Sequence, residues 1–379
     1  MRFSNLWIMG EEDHRITIEC GDKKILRISH HIGNDEAPFE GFVTPGFIDT
    51  HIHGAAGFDT SDADPEGLCK MAVSLAKVGT AAFCPTTMTI PEDQIFRVCE
   101  SVAKASEMLK NTEEPHAKII GLHLEGPFLN PLKCGVQNDS CCVLPKDGMD
   151  LVERIEKEFP GLLKMIDIAP ELEGSIEFIK TFKDRYVISL GHTAADHDIA
   201  MEAFNSGASG VTHALNAMDP ILKRSTGVLG AAIDSGAYVE VISDLHHIDR
   251  AMVRLLYSDV FEERTVTVSD SMRGALMPDG VYDLGGTDVT VRNGRTYYGE
   301  EGGLAGSVSF LCDEFVKLID IGVDPIRAVD SVTDNPLMRL GIMEDETMPG
   351  VLDIGRPATF NVFDKNGRLL RVINEGNEL

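Results

Sequence analysis

The sequence predicts an α/β fold, a (β/α)8 TIM-type barrel joined to a small β-sandwich domain that both chain ends build. Three observations predict it. Short apolar runs alternate with helix-patterned stretches through the interior of the 379-residue chain. Strand-like segments appear at both ends. His, Glu and Asp side chains suited to metal binding stand where the interior runs stop. The last pattern matters because barrel enzymes gather their chemistry at the C-terminal ends of the strands.

Taken in order, residues 2–8, 15–20 and 24–30 read as short strands between polar turns, and 359–363 and 368–373 read as strands again. Two such ends can share one sheet, which assigns 1–45 plus 346–379 to the small domain and 46–345 to the barrel. The interior apolar runs are 46–51, 80–85, 118–125, 163–169, 186–192, 210–213, 238–243 and 265–270. Helical patterns at 65–78, 91–109, 147–159, 175–182, 194–205, 248–257 and 307–319 fill most gaps between them. Eight strands with intervening helices over roughly 250–300 residues fit a closed barrel. An open doubly wound sheet competes, but no GxGxxG or Walker-type loop follows the first run. Its crevice would also not collect groups from strands one, three, five, six and eight.

Lys plus Arg total 34 against 61 Asp plus Glu, a formal charge of −27, which argues against nucleic acid and anionic membranes as partners. The eight cysteines show no CxxC spacing, as expected of reduced thiols in a cytoplasmic enzyme. The start of the chain reaches Glu11, Glu12 and Asp13 soon after Trp7 and lacks a signal peptide's apolar core. No run approaches the roughly 18 apolar residues that span a bilayer.

His51 and His53 lie two apart, so on a strand both point to one face and can grip or flank one ion. Alone the pair equally suits a structural role; the rest of the set favours metal. Glu125 closes an apolar run ahead of Gly126-Pro127, which is expected to stop the strand and leave the carboxylate at the rim. His192 and His213 end two successive runs, a poor use of core space but well suited to imidazole ligation of Zn2+ or Fe2+. Asp270 ends the last run, where a carboxylate beside an activated water can take its proton and return it to a leaving amine. His123, two residues before Glu125, is read as a candidate partner of the ligands rather than a ligand.

These motifs resemble the amidohydrolase superfamily, and within it the N-acetylglucosamine-6-phosphate deacetylase family. The resemblance rests on Thr44-Pro45-Gly46-Phe47-Ile48-Asp49 leading into His51-Ile52-His53-Gly54, and on His123-Leu124-Glu125-Gly126-Pro127-Phe128, Gly191-His192-Thr193 and Thr212-His213-Ala214-Leu215-Asn216-Ala217-Met218. It implies a divalent metal held by Glu125, His192 and His213, with Asp270 as general acid and base. His51 and His53 leave one ion or two per subunit open. The resemblance also implies that Asn216 and Ala217 bind the sugar phosphate, with Arg224 and His247 reaching it from the neighbouring subunit of a homodimer. His246 competes with His247 for that role. Where some members place a histidine against the acetyl carbonyl, this chain has Gln137, whose amide donates a hydrogen bond but carries no charge.

The reaction so implied is hydrolysis of the acetamide of N-acetyl-D-glucosamine 6-phosphate. Two rivals are deacetylation of the galacto epimer and a barrel that has lost catalysis and serves as a scaffold.

Overall fold

A computed structural model describes residues 1–10, 14–31, 41–261, 263–299 and 302–379. Glu11, Glu12 and Asp13 lie outside the described residues. The first two barrel strands, Phe47–Ile52 and Thr80–Pro85, form one parallel sheet with Lys118–Ile119, the start of the third. Leu122–Phe128, Leu163–Ile168, Val187–Leu190, Gly210–Val211, Tyr238–Val241 and Thr265–Thr267 form a second, also parallel. Hydrogen bonds close both seams. Thr87 N donates to His123 O at 3.0 Å, and beyond the last strand Asp270 N donates to His51 O at 2.9 Å. The two sheets are therefore arcs of one barrel. Its strands are buried on both faces, which is why they read as continuous apolar runs.

The surrounding helices follow the expected pattern. Pro65–Lys77 starts with proline in its first turn, Asp64 accepts from Glu66 N as its cap, and Leu68, Met71, Ala72, Leu75 and Ala76 form its buried stripe. Three helices absent from the sequence reading are Gly227–Ser235, Pro325–Val332 and Asp334–Arg339. A three-stranded antiparallel sheet, Gly280–Leu284, Thr287–Arg292 and Arg295–Tyr297, was also not expected from the sequence. Glycine at both turns, Gly285-Gly286 and Gly294, supplies the positive φ its hairpins need.

The expected stop at Gly126-Pro127 is corrected. The strand runs Leu122–Phe128, and its pairing to the next strand skips from Leu124 to Phe128, so the motif interrupts the ladder without ending the strand. Glu125 sits in that interruption.

At the chain ends, Arg2–Ile8, Arg15–Gly21, Lys24–His31 and Gly41–Pro45 join Phe360–Phe363, Leu369–Asn374 and Asn377–Glu378 in one seven-stranded sheet. Lys24–His31, its last strand, meets the segment leading into Phe360–Phe363, with Ile25 N donating to Arg356 O at 3.0 Å and Gly355 N to Ile25 O at 2.8 Å. The two layers expected of a sandwich are thus parts of one sheet wrapped back on itself. Its own core includes Phe3, Leu6, Ile16, Ile18, Phe360 and Val362. Among the described residues, no helix is long and apolar enough to cross a membrane.

Candidate metal centre

Five of the eight barrel strands deliver the centre. Phe47–Ile52 brings His51 and, one residue past its end, His53, the Leu122–Phe128 interruption brings Glu125, and His192, His213 and Asp270 follow the fifth, sixth and last strands. His192, His213 and Asp270 have φ of 47°, 29° and 46°. That left-handed backbone is costly for residues other than glycine, and three such residues at one mouth turn the chain sharply where their side chains meet. All six side chains are buried.

The ligand atoms fall into two adjoining groups, Glu125 with His192 and His213, and Asp270 with His51 and His53. His192 Nε2 and His213 Nε2 lie 3.0 and 2.9 Å from Glu125 Oε1 and 3.1 Å from each other. His53 Nε2 lies 3.1 Å from Glu125 Oε2 and 3.2 Å from Asp270 Oδ1. His51 Nε2 stands 3.6 Å from Glu125 Oε1 and 3.7 Å from Asp270 Oδ1 and makes no hydrogen bond.

The far nitrogens show which way the lone pairs point. Lys133 O lies 2.9 Å from His192 Nδ1 and Thr86 O 3.2 Å from His53 Nδ1. A carbonyl only accepts, so each Nδ1 carries a proton, and in the neutral ring Nε2 turns a lone pair towards the carboxylates. Lone pairs and carboxylate oxygens facing one another require positive charge between them. The acid–base balance says the same. Burial opposes charge on Glu125, yet the His51 imidazole, with His192 and His213, holds its carboxyl well below the usual carboxylate range. Burial disfavours a charged His53, yet Asp270 and Glu125 push it up to about 10. A divalent cation meets that demand, and the N/O donor set fits Zn2+ or Fe2+.

A cavity of about 490 Å³ opens over the centre. His53, Glu125, His192, His213, Asp270, Gln137, Asn216, Ala217 and His247 line it, whereas His51 lies behind and Arg224 away from it. Gln137 is not a free donor: its Nε2 donates to Glu125 Oε2 at 2.5 Å, and its Oε1 accepts from Thr89 N. The residue expected to meet an acetyl carbonyl thus also fixes a ligand.

His247, expected at a neighbouring site, stands in the single chain beside the metal centre. It lines its own chain's cavity because Asp244 accepts from His247 N and lies 2.8 Å from His247 Nδ1. Burial opposes charge on Asp244, but the His247 hydrogen bond brings its carboxyl down to about 2. Of the two adjacent histidines, His246 is not among the cavity residues. Arg224 is exposed in a tight turn closed by Leu222 and Ser225.

Sequence reasoning missed Met88, Leu284 and Tyr298 as walls of the cavity. It also missed Glu240, whose Oε2 lies 3.1 Å from His51 Nδ1. A lone charge between the valines of Tyr238–Val241 was the available signal.

Residues 42–379 match the amidohydrolase family. The chain belongs to that family. This amidohydrolase is 33% identical over 348 residues to the N-acetylglucosamine-6-phosphate deacetylase of Bacillus subtilis (strain 168), covering 90% of this chain and 85% of that protein. It is 31% identical over 337 residues to the N-acetylgalactosamine-6-phosphate deacetylase of Escherichia coli O157:H7, covering 88% and 86%. Among solved structures, the N-acetyl-D-glucosamine-6-phosphate deacetylase of Mycobacterium smegmatis, as a variant in complex with N-acetyl-D-glucosamine 6-phosphate, superposes with a TM-score of 0.88. It is 26% identical and covers 100% of this amidohydrolase and 98% of that chain.

Proposed function

We propose that this amidohydrolase hydrolyses the acetamide of N-acetyl-D-glucosamine 6-phosphate to D-glucosamine 6-phosphate and acetate. The observation that carries the reading is the convergence of two ligand groups on one cavity. The substrate follows from the relatives. Glu125, His192 and His213 would hold one Zn2+ or Fe2+, and His51 and His53, beside Asp270, a second. When bound, the metal supplies Lewis acidity, which brings water towards ionisation near neutral pH and polarises a carbonyl oxygen.

The chain's own residues do the rest. Burial opposes charge on Asp270, but His53 keeps its carboxyl below the usual range, so it is ready to accept a proton. It takes that proton as water adds to the acetamide carbon and delivers it to the amine nitrogen as the C–N bond breaks. Gln137 holds Glu125 in place and leaves one amide N–H for the acetyl oxygen. Asn216, Ala217 and His247 would receive the phosphate. Burial disfavours a charged His247, but Asp244 raises its pKa, which suits an anion. Arg224, exposed on its turn, would complete the phosphate site of a second copy in a homodimer.

The test is acetate release from N-acetylglucosamine 6-phosphate and its galacto epimer, side by side, on protein with quantified metal. Clear preference for the gluco compound is expected. Preference for the epimer would move the assignment to the activity named for the Escherichia coli relative, and no release from either would sink the deacetylase reading.

A further inference from the structure

Below the metal centre, the barrel interior holds an ion pair that takes no part in the mechanism above. Arg339, the last residue of helix Asp334–Arg339, sends a fully buried side chain under the strands, where Nη1 donates to Glu240 Oε1 and Nη2 donates to Ser189 Oγ. The sequence leaves room for it at Gly210: a Cβ there would stand 2.5 Å from Arg339 Nη2 and 2.8 Å from Ser189 Oγ. The other Glu240 oxygen, Oε2, points up the barrel, 3.1 Å from His51 Nδ1 and 3.3 Å from His213 N, which donates to it.

This arrangement sets His51 apart from the other histidines of the centre. His53 and His192 have Nδ1 held by main-chain carbonyls, which no side-chain substitution removes. His51 has Nδ1 held by a side chain, and that side chain is held by Arg339. A carboxylate only accepts, so Glu240 fixes the His51 proton on Nδ1 and leaves Nε2, which has no hydrogen bond, facing Glu125 and Asp270. Glu240 is 0% exposed, and a carboxylate that deep needs a paired cation, which Arg339 supplies.

We propose that Arg339 is a positioning residue which, through Glu240, orients His51 and so controls ion uptake chiefly at the His51, His53 and Asp270 half of the centre, the Glu125, His192 and His213 half being touched only through the His213 main-chain N–H. The proposal rests on the metal-dependent reading above.

The experiment strips the protein with chelator and titrates Co2+ into wild type, Arg339→Lys and the double variant Arg339→Met/Glu240→Leu, counting ions per subunit and fitting two affinities. The double variant removes the pair as a unit, which avoids stranding a buried charge and keeps the fold. Its second ion is expected to bind about 10–100-fold more weakly than in wild type, the effect usual for losing a ligand's hydrogen-bond partner. Its first ion should weaken far less than its second, since only the His213 main-chain N–H loses an acceptor there, and Arg339→Lys should fall between. Two ions bound with wild-type affinities in the double variant would overturn the proposal, as would equal weakening of both, the mark of a merely structural role. Wild type binding only one ion would overturn it at its foundation, and wild type binding none would overturn the metal reading too; both results appear without any variant.

Discussion

At the scale of single residues, Asp270 offers the sharpest test because its backbone constrains which substitutions are clean. Its φ of 46° lies in the left-handed region, which asparagine tolerates as well as aspartate. Asp270→Asn therefore keeps the backbone and the volume and removes only the proton acceptor. Turnover is expected to fall by at least about 10²–10⁴-fold, the range typical of a lost general base, with the ion at Glu125, His192 and His213 retained. Acetate release and metal counting on the same sample check it; turnover near wild type would refute the assigned base. Residues like Asp270 were legible because each breaks an apolar run where a barrel strand must end. Arg339 was not, since its partner Glu240 lies 99 positions away and no local pattern links them. His247 was singled out by its motif, but a motif gives no sign of which chain's cavity its side chain enters.

Among the elements, helix Pro325–Val332 carries a liability that the sequence does not advertise. Asp330 lies in its last turn, where the helix dipole disfavours negative charge. Burial first, then Asp334, Glu263 and Asp324, push its carboxyl up to about 6. A raised carboxyl pKa means that this residue's contribution to stability is complete below about pH 4, its unfolded value, and is lost as pH rises through about 6. Asp330→Asn is expected to stabilise the protein above pH 6 by about 1 kcal/mol, allowing for solvent screening of a half-exposed group, and to change nothing near pH 4. Denaturant unfolding at pH 8 and pH 4 measures both arms; an equal effect at the two would refute the cause. The eight barrel strands were readable because burial on both faces leaves an uninterrupted apolar run. Gly227–Ser235 was not, since two glycines and a nearly all-apolar sequence hide any helical stripe. The Gly280–Tyr297 sheet was hidden by polar outward positions in strands only a few residues long.

For the molecule as a whole, the centre joins opposite sides of the barrel, so its cation should stabilise the whole fold. An ion present at about 100 times its dissociation constant contributes about 2.7 kcal/mol by mass action. Chelation should therefore lower the melting temperature by roughly several degrees. Calorimetry before and after chelation, and again on adding the ion back, reads the shift; a melting temperature indifferent to the ion would contradict the donor geometry. The seven-stranded sheet has a different consequence. Gly41–Pro45 pairs with both Arg2–Ile8 and Phe360–Phe363, so one of its edges waits for a strand encoded near the far end of the chain. At about 5–20 residues per second, a ribosome delivers that strand on the order of tens of seconds later. Throughout that interval the newborn chain presents an open apolar edge, which makes this end of the molecule the place where a chaperone would have most to hold.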